Sequence, residues 1–154
     1  LIRVEADEVT YPLHIIHRYR LEKALLSGDL AVADLPGAWR EGMAQLVGIK
    51  VPNDRDGCMQ DIHWMDGAFG YFPTYTLGAM AAAQIYQAAA AALPDLPADL
   101  ARGDFGPLMA WQARHVHSQG RLHPSADELL KAATGGPLDS GIFRRHLEKR
   151  YLAG

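Results

Sequence analysis

A single cysteine, Cys58, occurs in 154 residues. No disulfide framework within the chain is possible, a composition that fits a reducing cytoplasm. Charge of one sign is also lacking: 15 Lys and Arg stand against 18 Asp and Glu, a net charge of -3. That balance argues against nucleic acid or an anionic membrane as the main partner. The basic run Arg144, Arg145, Lys149 and Arg150 is interrupted by Glu148 and reads as a solvated helix face. No apolar run approaches the roughly 18 residues that span a bilayer, and the alanine-rich residues 79–93 contain Gln84 and Gln87. A basic start followed by an apolar stretch and a cleavage site is missing too. The first residue is Leu1 rather than Met, so the chain is expected to begin inside a longer polypeptide. There is no H-E-x-x-H, no glycine-rich phosphate cradle, and no strand–turn–helix elbow around Cys58. The pairs His14/His17 and His115/His117 come without an assignable third ligand, so a self-contained metal site is not expected.

What remains is ordinary globular material, 49% hydrophobic and 21% charged, patterned as helices. Asp7 or Thr10 is placed to cap a first helix with Pro12 in its opening turn and a stop at Ser27-Gly28. Its apolar residues Leu13, Ile15, Ile16, Tyr19, Ala24 and Leu25 spread over a wide arc, which implies burial on more than one side. Asp34 is placed to cap a second helix, on which Leu35, Trp39, Met43 and Leu46 form one stripe before Gly48. A long helix covers residues 74–92, with a small face (Gly78, Ala79, Ala82, Ala83, Ala90), and Pro94 and Pro97 close it. Asp104 caps the next helix, which runs to about Gly120. Ser125 and Glu128 form a capping box, and Asp139 or Ser140 starts a last helix with Ile142, Phe143, Leu147 and Tyr151 inward. The reading is all-α, a single helical unit over residues 1–154.

Three constellations are able to carry chemistry. Residues 51–73 lose all periodicity, yet hold Cys58, Met59, Trp64, Phe69, Tyr71 and Phe72 among turn residues. Aromatic-rich irregular segments of this length are usually functional. Within this segment Gln60, Asp61, His63 and Trp64 crowd together, and Asp61 and His63 are close enough in sequence to fix one another's orientation. The alternatives are a histidine aimed into a cleft or a polar knot that satisfies loop backbone. Arg3, among Glu5, Asp7 and Glu8, is either a salt-bridge hub or a receptor for an anion, since a planar guanidinium matches a carboxylate bidentately. Tyr71 and Tyr75, four apart at a helix entry, either reach a cleft or are half-buried packing.

Taken together, these segments resemble the carboxypeptidase Taq family of zinc carboxypeptidases. The family's I-R-x-x-A-D motif is matched by Ile2, Arg3, Ala6 and Asp7, and its G-x-x-Q-D-x-H-W motif by Gly57, Gln60, Asp61, His63 and Trp64. Tyr11-Pro12-Leu13-His14, Pro52-Asn53-Asp54 and the stretch from Gly70 to Gly78 resemble it as well. The resemblance implies a helical fragment of a larger helical metallopeptidase with a deep substrate groove. It implies zinc in the full-length enzyme, held by H-E-x-x-H and H-E-S-Q motifs that would lie upstream of Leu1, and none held by this chain. The substrate implied is a peptide with a free C-terminal carboxylate, and a homodimer is the implied assembly. Arg3 is implied as the carboxylate anchor, with His63 and Tyr75 hydrogen-bonding the substrate. Tyr71 is implied as a further contact, and Gln60 and Asp61 as residues that orient His63. Alone, the chain is expected to be inert. Two rivals are a helical module that binds peptide C-termini without metal and a structural remnant that packs against a catalytic part.

Overall fold

The computed structural model describes residues 1–152, which form helices and turns and no strand. The chain is all-α, as its periodicity implies; the last two positions of the expected 1–154 unit lie outside the described residues. It comprises two compact units, Leu1–Leu77 and Gly78–Gly154. No helix among the described residues is long and apolar enough to cross a membrane.

In the first unit, α1 (Tyr11–Ser27) begins after Thr10 with Pro12 in its first turn and stops at Gly28. The side chain that organises its start is Asp7: its carboxylate accepts from the Val9 and Thr10 N–H groups and from the Thr10 hydroxyl, each at 2.9 Å. A short 3-10 turn, Arg3–Glu5, precedes it. The helix α2 (Leu35–Val47) follows, with Asp34 at its N-terminal boundary but making no side-chain cap bond. Trp39 and Met43 on α2 are buried with Leu21 of α1 and Val51, and Leu35, Ala38, Val47, Cys58 and Trp64 pack around them. Burial of each large apolar side chain contributes about 1.5–3 kcal/mol. The two helices approach closely at Gly42. A Cβ there would lie 2.3 Å from Cε1 and 2.4 Å from Nδ1 of the buried His17 ring.

The buried face of α1 differs from the expected broad apolar arc. Its inward stripe is His14, Ile15, His17, Arg18, Leu21 and Glu22, a single helical stripe in which four of six members are polar. Ile16 and Tyr19 are exposed instead. Counting apolar residues misplaces this face because Arg18 and Glu22 find partners on the loop between α2 and α3, and the His17 ring packs on Trp39 of α2.

The second unit holds most of α3 (Pro73–Ala92), then α4 (Leu96–Ala101), α5 (Gly106–Gln112), α6 (Ala126–Thr134) and α7 (Ser140–Tyr151). Leu96 and Ala89 are fully buried, and Leu130 and Phe143 nearly so. Gln84, buried on α3, donates to Thr134 Oγ1 and to the carbonyls of Gly136 and Pro137, and accepts from the Asp139 N–H. One amide thereby holds the whole α6–α7 connection. Ser125 accepts from the Glu128 N–H and Asp139 from the Gly141 N–H, so both N-terminal caps form, although the Glu128 side chain does not return the second bond of a capping box. Four details depart from expectation. Pro97 opens α4 rather than ending a helix, because proline suits a first turn, whose N–H groups have no partner. The helix after Asp104 gives way at Ala113–His117 to a π turn. Tyr151 is exposed, while Phe143 alone among the expected inward residues of α7 is buried. Gly78, Ala79 and Ala82 of the small face are exposed.

Candidate functional site

All six residues singled out from sequence fall in one cluster in the first unit, between the N-terminal turn, α1, the irregular loop and the start of α3. Its floor is ionic. Asp61 Oδ1 accepts from Arg3 Nε at 3.0 Å and Nη2 at 2.8 Å, and Oδ2 accepts from Arg18 Nε at 2.6 Å. Gln60 Oε1 accepts from the Arg3 backbone N–H and from Arg18 Nη2, both at 2.8 Å, while its amide nitrogen donates to the Asp56 carbonyl at 2.9 Å. Arg18 Nη1 donates to the His14 carbonyl. Both guanidiniums also lie over aromatic faces, Arg3 above Tyr75 at 4.9 Å and Arg18 above Trp39 at 4.6 Å.

The electrostatics follow from burial and pairing. Burial alone would raise the Asp61 carboxyl, but the hydrogen bonds and charges of Arg3 and Arg18 hold it below its usual range. Burial pushes Arg18 down from its ordinary value, with Asp61 opposing; Arg3 ends above its own because Asp61 and Tyr11 outweigh its burial. Burial, then the neighbouring Arg18, lowers both His14 and His17 to about 4. Both are neutral near pH 7. The triad Arg3–Asp61–Arg18 therefore carries two cations on one anion.

Above this floor stand His63, Tyr71 and Tyr75. His63 Nε2 lies 3.1 Å from the Tyr75 hydroxyl, and its ring is 4.5 Å from Phe72 and 5.6 Å from Tyr71. Tyr71 and Tyr75 meet edge to face at 5.4 Å. Burial pushes the Tyr75 phenol above its ordinary value, so it remains a proton donor. His63 Nδ1 is buried without a hydrogen-bond partner. The Asp61 carboxylate is 4.0 Å away, beyond hydrogen-bond reach and committed to the two arginines. The expected pairing of Asp61 with His63 is thus not a hydrogen bond. Asp61 and Gln60 hold the arginines, and through them the loop.

Arg3 also occupies an unexpected position. It is 5% exposed, with Nε and Nη2 on Asp61 and Nη1 donating to the Tyr11 hydroxyl. Its fork is turned to protein partners. The phenol of Tyr11 accepts from Arg3 and keeps its own proton for donation elsewhere. Four members of the cluster carry no site role in the sequence reading: Tyr11, Arg18, Glu22 and Phe72. Their signal lay in spacing, since Tyr11, His14, Arg18 and Glu22 follow one another at three and four residues along α1. Polar residues at that period on an otherwise apolar helix mark a buried polar face. Cys58 is not a nucleophile candidate, because burial raises its thiol.

Among the described residues no group of three or more His, Cys, Asp or Glu side chains gathers to hold a metal ion. The sequence pattern of the carboxypeptidase Taq (M32) metallopeptidase family matches residues 1–151. Thermostable carboxypeptidase 1 of Thermus thermophilus is 47% identical over 154 residues, 99% of this chain and 30% of that protein. Carboxypeptidase 1 of Bacillus subtilis is 45% identical over 150 residues, 97% of this chain and 30% of its own length. The solved M32 carboxypeptidase from Deinococcus radiodurans superposes with a TM-score of 0.93 at 44% identity, covering 97% of this chain and 30% of that one. The chain thus spans about 30% of the length of the relatives it matches.

Proposed function

The chain belongs to the carboxypeptidase Taq (M32) metallopeptidase family, and from that premise we propose that it supplies the substrate-holding wall of a peptidase that removes C-terminal residues from peptides. Its described residues do not fit a metal site. The metal, zinc by family resemblance, and the base that activates water are assigned to polypeptide beyond these residues, and this chain alone does not hydrolyse peptide. The roles below concern its own side chains.

The observation that carries the reading is the imbalance beneath His63 and Tyr75, two buried guanidiniums on one carboxylate. A peptide's C-terminus differs from the rest of its backbone by one negative charge, and an exopeptidase has to recognise that charge. Glu22, the one buried anion of α1, lies eleven residues beyond Tyr11, about 16 Å along the helix. Among the buried charges the positive surplus therefore sits at the Arg3–Tyr11 end, while Glu5, Asp7 and Glu8 there are at least partly solvated. Arg3 attracts the terminal carboxylate from behind, by its charge and through the Tyr11 hydroxyl that it polarises. Tyr75 hydrogen-bonds the substrate backbone or the oxyanion that develops on it, and His63 joins it through Nε2. That nitrogen turns from the Tyr75 hydroxyl to the substrate, because Nδ1 is buried. The interaction is worth roughly 3 kcal/mol per donor. Tyr71, exposed beside His63, offers an aromatic face to a substrate side chain. Gln60 and Asp61 hold the arginines in place.

Titration of the chain with a short peptide bearing a free C-terminal carboxylate, followed by nuclear magnetic resonance, tests the reading. Signals of His63, Tyr71, Tyr75 and Tyr11 should move, and the same peptide with an amidated C-terminus should move them far less. Equal responses to the two peptides, or none, would overturn the proposal.

A further inference from the structure

The proposed role of His63 and Tyr71 requires two side chains on an irregular loop to keep one geometry. We infer that Glu22 of α1 is the positioning residue that fixes both of them. It is 5% exposed and makes two hydrogen bonds to that loop. Oε2 accepts from the Trp64 indole N–H at 2.7 Å, and Oε1 accepts from the Gly70 backbone N–H. Trp64 directly follows His63, and Gly70 directly precedes Tyr71. One carboxylate therefore ties down both ends of the turn between the two functional side chains.

The rest of that turn is made to present these donors. Ala68 N–H donates to the His63 carbonyl, and Asp66 N–H to the Ile62 carbonyl, folding residues 62–68 back on themselves. Gly70 has φ +76°, a left-handed conformation that side-chain-bearing residues rarely adopt, and its N–H reaches Glu22 from there. The Trp64 ring is wedged edge to face against Trp39 and Phe72, so the indole N–H has a fixed direction. Arg18, one helical turn before Glu22, grips Asp61, two residues ahead of His63. His63 is thus bracketed by two contacts from consecutive turns of α1, a cation before it and an anion after it.

A carboxylate is the group this position requires. Both partners are donors, and an ionised carboxylate presents an acceptor to each. Glutamine has nearly the same shape but one acceptor and one NH2. It satisfies either Trp64 or Gly70 and sets a donor against the other.

Glu22→Gln in the 154-residue chain tests this, with far-UV circular dichroism confirming the fold. The Trp64 indole proton should exchange with solvent at least about tenfold faster, as a charge-assisted hydrogen bond is lost. The nuclear Overhauser contacts between the His63 and Tyr75 rings, whose polar atoms lie 3.1 Å apart, and the ring signals of Tyr71 should change, while the ring signals of residues in the second unit stay as they are. A folded Glu22→Gln chain with native Trp64 exchange and unchanged His63–Tyr75 ring contacts would overturn the inference. If Glu22→Gln does not fold, Trp64→Phe decides. It keeps a packing ring and removes one donor, so altered His63–Tyr75 ring contacts support the assignment and unaltered ones overturn it. The inference rests on the substrate-facing reading of His63 for its meaning. Its measurements use no peptide, so its failure and that of the peptide titration are separate results.

Discussion

His14 and His17 illustrate how single residues set the chemistry of this fold. Each ring is almost fully buried, and burial, then the positive Arg18 beside them, lowers both to about 4, against about 6.5 in an unfolded chain. The folded state therefore binds fewer protons than the unfolded state between those values. Stability is fully present above about pH 6.5 and is lost as pH falls toward 4. Urea unfolding should show a loss on the order of 2 kcal/mol per ring between about pH 7.5 and 5. A flat profile over that range would mean that the rings are not buried as neutral groups. At this scale the sequence was informative about identity more than about role. Arg3, Gln60, Asp61 and His63 stand out by motif and by loop composition. Arg18 and Glu22 did not, because a charged residue on a helix is ordinarily solvated, and only the partners on a distant loop make burial favourable. Arg3 was conspicuous, but its commitment to Asp61 and Tyr11 depends on the loop conformation, which no spacing rule encodes.

Helices were the most legible elements, within limits that have physical causes. The stripe on α2 and the caps at Ser125 and Asp139 form as their residues dictate, since apolar period and local side-chain bonds act within a few positions. The short α4 and the π turn after α5 were missed, because neither alters hydrophobic period enough to register. The contact between α1 and α2 was equally invisible. It depends on Gly42, whose missing Cβ admits the His17 ring. Helix propensity alone predicts that Gly42→Ala stabilises α2 by about 1 kcal/mol. The geometry predicts the opposite, because the buried His17 ring has to leave its place against Trp39, or α1 and α2 have to part, before the Cβ fits. A net loss of about 1–3 kcal/mol is expected from overpacking, read as a lower melting temperature. A gain in melting temperature would show that the helices part easily.

At the scale of the whole molecule, the chain is two compact units that correspond to about 30% of longer relatives. Every residue assigned to the site lies between Arg3 and Tyr75, within the first unit. Apolar surface remains uncovered there: Ile15, Ile16, Tyr19, Pro73, Thr76 and Leu77 line a groove of about 290 Å³. Such a face suits packing against further polypeptide, in keeping with the proposed role as one wall of a larger peptidase. The interior of the same unit is unusual in being joined by charge as well as by hydrocarbon. The guanidinium ion used as a denaturant is chemically the head group of Arg3 and Arg18, and it arrives with a salt concentration that urea lacks. It competes for Asp61 and Glu22 as they become accessible and screens whatever attraction remains. Extrapolated to zero denaturant, unfolding by guanidinium chloride should therefore report a lower stability for this chain than unfolding by urea. Agreement between the two denaturants would mean that the helix face facing the loop coheres by apolar contact alone.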